Sequence, residues 1–209
     1  MPFFAGLDLG QAHDFTALVI PEQLGPPPHM YHVRHIERWP LGTPYPAIVG
    51  AVAARMGMPQ LRRQPLVIDG TGCGRPVVDL FKQVRGLTFY PVLITGGDTA
   101  SKDDSGYWRV PKRDLVGVVQ VLLQSERLKI ADALPEARTL TAELLNFQAK
   151  ISDSTAHDSY GAWREGTHDD VVLALALALW QAERTARTQP KPAAPIGMSS
   201  KSKWRMDGT

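Results

Sequence analysis

The residue order predicts an α/β fold: a mixed β-sheet, an antiparallel meander plus parallel strands, flanked by helices and followed by a disordered C-terminal tail. Three observations carry this expectation. Three strand-like runs follow one another within the first 39 residues. From residue 44 onward, helical and strand-like segments alternate. The late run "VVLALALALW" is apolar on every helical face, which calls for a central helix rather than a peripheral one.

The elements follow in order. "PFFAGLDL" (2–9) reads as a buried strand, and "FTALVI" (15–20) as a second strand after the turn "GQAHD". "GPPP" breaks the chain before "MYHVRHIERW", where β-branched and aromatic residues stand among polar ones. Residues 44–58 place Ile48, Val49, Val52 and Met56 at helical spacing. "PLVIDG" (65–70) is a short apolar run ending at an acid and a Gly-rich turn, so a central strand. A helix over 76–85 opens with Pro in its permitted first turn, and "TFYPVLIT" (88–95) is the next strand. "GGDTASKDDSG" is too polar and Gly-rich for an element and is expected to be a mobile loop. After "YWRVP" come a helix over about 112–127, the short "LKIA", and a helix over about 135–148. Residues 149–166 suggest a hairpin or an extended loop, and a helix is expected over about 168–187. From Thr188 the composition turns to Pro, Ala, Ser and Lys without periodicity. The expected organisation is one domain over 1–187 and a basic flexible tail over 188–209.

The totals set limits. With 209 residues, 44% hydrophobic and 21% charged, the chain has an ordinary globular composition. Residues 1–183 hold 17 basic against 20 acidic residues, and residues 184–209 hold six against one. The folded part is thus mildly acidic, which neither announces nor excludes a local basic groove. The single cysteine, Cys73, cannot form an internal disulfide and has no His or Cys at ligand spacing. The ten apolar residues Val171–Trp180 are about half of the roughly 20 a membrane span needs. With no signal-peptide pattern, a cytoplasmic protein is expected.

The acids raise the chemical question. Asp8 lies between Leu7 and Leu9 in an apolar strand, and Asp69 closes "PLVI". A carboxylate buried alone costs several kcal/mol, so each needs a partner. Either each takes backbone N–H bonds in its own Gly-rich turn, or the acids share a cation. Asp169 and Asp170 have a local explanation as well. Thr167 at an N-cap with Asp170 three residues on resembles a capping box, and first-turn acids favour the helix dipole. That explains one acid more comfortably than two. Carboxylates converging without a cation would repel. A pair of hard divalent ions removes the repulsion and can activate water while stabilising a leaving oxygen.

Four segments together resemble a known family: "GLDLGQAHDFTALVI", "VIDGTGCGRPVVDLF", "VPKRDLVGVVQVLLQSERLKI" and "HDDVVLALALAL". Their order is similar to that of the nuclease domain of tailed-bacteriophage terminase large subunits, over roughly residues 3–182. The resemblance implies an RNase H-like fold related to RuvC-type resolvases. It implies a metal-dependent endonuclease that cuts concatemeric viral DNA, with Mg²⁺ or Mn²⁺ as cofactor and two ions in the site. Carried over, Asp8, Asp69, Asp169 and Asp170 hold the metals. It also implies double-stranded DNA, an ATPase motor domain, a small terminase subunit and a portal protein as partners, in the cytoplasm of an infected bacterium. The chain has no G-x-x-x-x-G-K-[ST] run, so it is expected to be an excised domain or a separately encoded nuclease.

Further candidates stand around the acids. Lys112 and Arg113 open a helix, Arg75 follows the turn after Asp69, and Lys102 sits in the loop 96–106. All four are candidate phosphate contacts, which position a duplex without reading it; solvated surface charge is the plain alternative. His168 either touches phosphate or orients a carboxylate, or packs at the helix start. Asp14 supports the metal ligands or, preferably, caps its turn. His29, His32 and His35 would alternate between strand faces, which disfavours a metal cluster. Trp108 and Trp163 could stack on bases, though packing is the commoner fate of Trp. "GLDLG" and "DGTGCG" also suit the phosphate loops of actin-like and sugar-kinase ATPases. A Holliday-junction resolvase, an RNase H and a DNA- or portal-docking module without activity remain alternatives on the same fold.

Overall fold

A computed structural model describes residues 1–10, 14–71, 74–153 and 169–188, with the backbone alone for 74–75 and 147–153. The elements are β1 (Ala5–Asp8), β2 (Thr16–Leu24), β3 (Met30–Trp39), α1 (Tyr45–Met56), β4 (Leu66–Asp69), α2 (Gly74–Lys82) and β5 (Phe89–Thr95). They continue with β6 (Ser101–Lys102), β7 (Trp108–Pro111), α3 (Lys112–Gln124), β8 (Leu128–Ile130), α4 (Ala137–Asp153) and α5 (Asp170–Thr188). All eight strands join one sheet in the order β6-β7-β5-β4-β1-β2-β3-β8. β1, β2 and β3 form the expected antiparallel meander. β4, β5 and β7 add in parallel on the β1 side, and β8 joins β3 in parallel at the far edge.

Strand alternation divides the core into two layers. Leu7, Leu18, Ile20, Leu66 and Ile68 pack against Ile48, Val52 and Met56 of α1 and Phe81 of α2. Residues one position away, Ala17, Val19, Val67 and Val92, face α3, α4 and α5 on the other side. A helix whose apolar residues cover every face can be satisfied only in such a layer, between the sheet and other helices. Every residue of α5 from Asp170 to Ala182 is buried.

α5 lies very close to β1. A Cβ on Gly6 would stand 1.9 Å from the Ala174 carbonyl oxygen and 2.8 Å from the Ala178 nitrogen. Only glycine admits that approach, so "AGLD" is read at β1 as a docking groove for the helix. The other end of α5 is tied to the far sheet edge. The Tyr31 hydroxyl donates to Glu183 at 2.9 Å, and Arg127 donates to the same carboxylate oxygen. Burial, then the Glu183 charge, pushes the Tyr31 phenol well above its usual range.

Three local differences from the sequence reading stand out. The loop 96–106 includes the two-residue strand β6, held antiparallel to β7 through Ser101↔Arg109 and Lys102↔Trp108. α4 continues to Asp153, past the point where a loop was expected at 149. α5 begins at Asp170, with Leu173 N donating to Asp169 O at 2.9 Å, so Asp169 is the cap residue and Asp170 the first of the helix. Thr167, proposed as the cap, lies outside the described residues, as do His168, Cys73, Trp163 and the tail from 189. Among the described residues no helix is long and apolar enough to cross a membrane.

Candidate metal centre at the carboxyl edge of the sheet

β1, β4, β5 and β7 run parallel, so their carboxyl ends share one edge of the sheet. Asp8 and Asp69 follow the paired residues Leu7 and Ile68, and so end neighbouring strands side by side. By alternation, Asp8 shares the face of Gly6, and Asp69 that of Val67, which is the α5 side. Both are buried, at 7% and 2% exposure.

The register extends this row across the meander. Asp8 is paired with Ala17, and Ala17 with Arg38. The small Ala17 leaves space above β2, and Arg38 reaches over to α5, where Nη2 donates to Asp170 Oδ2 at 3.1 Å. Its guanidinium also stacks 3.6 Å from the Phe15 ring centre. Asp170 is one helical turn before Ala174, the residue in contact with Gly6, and is 3% exposed. The start of α5 therefore stands at the level of Asp8. Asp169, partly buried, sits beside it as the cap residue.

Two first-turn N–H groups of α5 are satisfied by a residue that sequence reading missed. Glu143, on α4, accepts from Val171 N at 3.0 Å and Val172 N at 2.9 Å, both on Oε2. It thereby acts as an N-terminal cap supplied by another helix. Glu143 is 6% exposed, and its Oε1 is buried with no hydrogen-bond partner among the described residues. Burial pushes the Glu143 carboxyl up to about 7; the Val172 N–H bond opposes the rise, the Asp170 charge adds to it, Arg38 lowers it and Asp169 adds to it slightly. Glu143, Asp170, Asp169 and Arg38 thus form one electrostatic group.

Among the described residues no group of three or more His, Cys, Asp or Glu side chains is arranged to hold a metal ion as it stands. Two contacts are consistent with this. The Asp170 carboxylate is turned to Arg38. Asp69 accepts on Oδ1 from Thr71 N at 2.8 Å and from the Thr71 hydroxyl, so its own turn does claim one oxygen, as the turn-capping alternative holds. The chemistry of the donor set nevertheless suits a hard cation, being carboxylate oxygen throughout and including the unpartnered Oε1 of Glu143.

The other candidates distribute along the same edge. Lys112 and Arg113 begin α3 directly after β7 ends, two strands from β4. Arg113 is committed to the loop, donating to the Asp98 carbonyl and pairing with its carboxylate at 2.7 Å. Arg75 lies in the first turn of α2, beside Asp69 in the chain, with its side chain not described. Lys102 lies in the cross-sheet row of Asp69, through Val92 and Trp108. It is three strands away, about 14 Å at the usual strand spacing. Asp14 is exposed, and its backbone folds back on Gly10. Trp108 packs edge-on against Trp180 at 5.7 Å, with Arg184 4.1 Å above its ring, a packing role rather than an open stacking surface.

Comparison with solved structures identifies the fold. The large terminase nuclease from thermophilic phage G20c matches with a TM-score of 0.58 at 19% identity, over 86% of this chain and 82% of that one. The HK97 bacteriophage large terminase matches with a TM-score of 0.51 at 17% identity, over 86% of this chain and 39% of that one. The chain thus has the RNase H-like fold of these nuclease domains, with a mixed sheet of eight strands. No protein-family model matches the chain, and no curated protein does.

Proposed function

We propose that this chain is a divalent-metal-dependent DNA endonuclease of a viral genome-packaging terminase, cutting concatemeric double-stranded DNA with little sequence specificity. One placement supports this reading above the rest: Asp8 and Asp69 end adjacent parallel strands on the face where Asp170 opens α5. Asp8, Asp69 and Asp170, with Asp169 beside them, would hold Mg²⁺ or Mn²⁺. Such ions, when bound, supply an activated water and stabilise the leaving 3′-oxygen.

The remaining tasks fall to the protein. Arg38 sets the direction of Asp170 and offsets part of the acid charge. Glu143 fixes the first turn of α5. Lys112 and Arg75 follow the carboxyl ends of β7 and β4, where phosphate contacts would position a duplex. Arg113 and Lys102 contribute less, the first being tied to Asp98 and the second three strands distant. His168 precedes the acid pair in the chain and is assigned to phosphate or to a carboxylate. Asp14 is assigned to its turn. The ATPase motor domain, the small terminase subunit and the portal protein are the proposed partners, and the cytoplasm of the infected bacterium the site of action.

The test is conversion of supercoiled plasmid in Mg²⁺ or Mn²⁺, with EDTA as control and four-way junctions and RNA–DNA hybrids as competing substrates. Wild-type protein nicks or linearises plasmid only with metal, and Asp8→Asn, Asp69→Asn and Asp170→Asn abolish cleavage with the fold retained. Undiminished cleavage by all three variants, or none by the wild type in either metal, ends the reading.

A further inference from the structure

Glu143 does more than a helix cap requires. A Gln or a Ser could accept the two N–H bonds without placing a charge in the interior. Glu143 instead brings a carboxylate, 6% exposed, to the start of α5, uses Oε2 for both Val171 N and Val172 N, and leaves Oε1 buried without a hydrogen bond among the described residues. A buried carboxylate oxygen with no partner is costly and calls for a reason. The other oxygen of Glu143 bonds the two residues that follow Asp170, so Glu143 sits beside the acid that opens α5.

We infer that Glu143 is a fourth carboxylate of the cation site, securing α5 with one oxygen and offering the other to the ion. The inference rests on the metal-dependent reading above and extends it to a helix that supplies none of the other acids. It gives α4 a purpose in the site: the residue that fixes the position of Asp170 also shares its cation. Helix placement and ion binding then become one event, because an ion bound through Glu143 tightens the α4–α5 contact as well.

The substitution Glu143→Gln separates the two duties. The amide oxygen still accepts from Val171 N and Val172 N, whereas the amide nitrogen cannot ligate a cation. Mn²⁺ binding to the full chain is measured by titration calorimetry, and melting is followed with EDTA and with Mn²⁺. The expected result is a variant that melts in EDTA at or above the wild-type temperature, binds Mn²⁺ about tenfold or more weakly, and loses most of the Mn²⁺-induced rise in Tm. Wild-type Mn²⁺ affinity in a folded Glu143→Gln protein overturns the inference and leaves a helix clamp. A folded wild type that binds no Mn²⁺ overturns the metal-dependent reading and this inference with it. If the variant does not fold, a wild-type crystal soaked in Mn²⁺ decides. An anomalous peak within coordination distance of the Glu143 carboxylate supports the inference, and a peak held by Asp8 and Asp69 but remote from Glu143 overturns it.

Discussion

Arg38 and Asp170 form a partly buried ion pair, 3.1 Å between Nη2 and Oδ2, that joins the end of the meander to the start of α5. Replacing Arg38 removes one counter-charge and a charged hydrogen bond from the Asp170 carboxylate, at a cost of about 1.5–3 kcal/mol. Arg38→Met is therefore expected to lower stability by that amount in EDTA, read by urea denaturation. Mn²⁺ should restore part of the loss, since a bound cation takes over the charge of Asp170. A loss that Mn²⁺ leaves unchanged would separate Asp170 from the metal.

Gly6→Ala tests the close approach of α5. The new Cβ would meet backbone atoms of Ala174 and Ala178 at 1.9 and 2.8 Å, and no rotamer change can relieve a backbone clash. Overpacking of this kind costs about 3 kcal/mol or more. The variant should melt well below the wild type and lose Mn²⁺ affinity, because α5 carries Asp170 away from Asp8 as it shifts.

Much of this architecture is legible in the sequence. The all-round apolar run required a buried helix, and "PLVID" required a central strand ending in an acid. Asp8 and Asp69 stood out because an acid in an apolar run needs a reason. Glu143 did not stand out. In "TLTAELLNFQ" it reads as an ordinary polar position of an amphipathic helix, and its role depends on where α4 meets α5, 28 residues later. Arg38 was hidden similarly, among the charged residues of "RHIERW", because its reach depends on the small Ala17 opposite. The partner of the Val171 and Val172 N–H groups escaped local capping logic for the same reason: it arrives from another helix. β6 escaped because two residues in a Gly-rich loop form a strand only when β7 is beside them.

The pH dependence of metal-free stability follows from Glu143. Its folded carboxyl is raised to about 7, above the unfolded value of about 4.3, so the folded state binds more protons between those pH values. This contribution is fully present below about pH 4 and is lost as pH rises through about 7, by up to about 4 kcal/mol. Denaturation in EDTA across that window should show the decline, and Glu143→Gln should flatten it.

Lys112 and Lys102 are expected to differ in DNA binding. Lys112 opens α3 beyond the carboxyl end of β7, whereas Lys102 lies in the outermost strand, β6, three strands from Asp69. Lys112→Ala should weaken binding to any duplex and lower the slope of log K against log salt by about one unit. Lys102→Ala should change both less. Equal effects from the two would move the duplex path toward β6.

The most direct test of the central claim is anomalous diffraction from a wild-type crystal soaked in Mn²⁺. A peak bound by Asp8 and Asp69 together is expected, with the Asp170 carboxylate drawn from Arg38 toward it. A fully soaked crystal with no peak in coordination range of these three residues would contradict it.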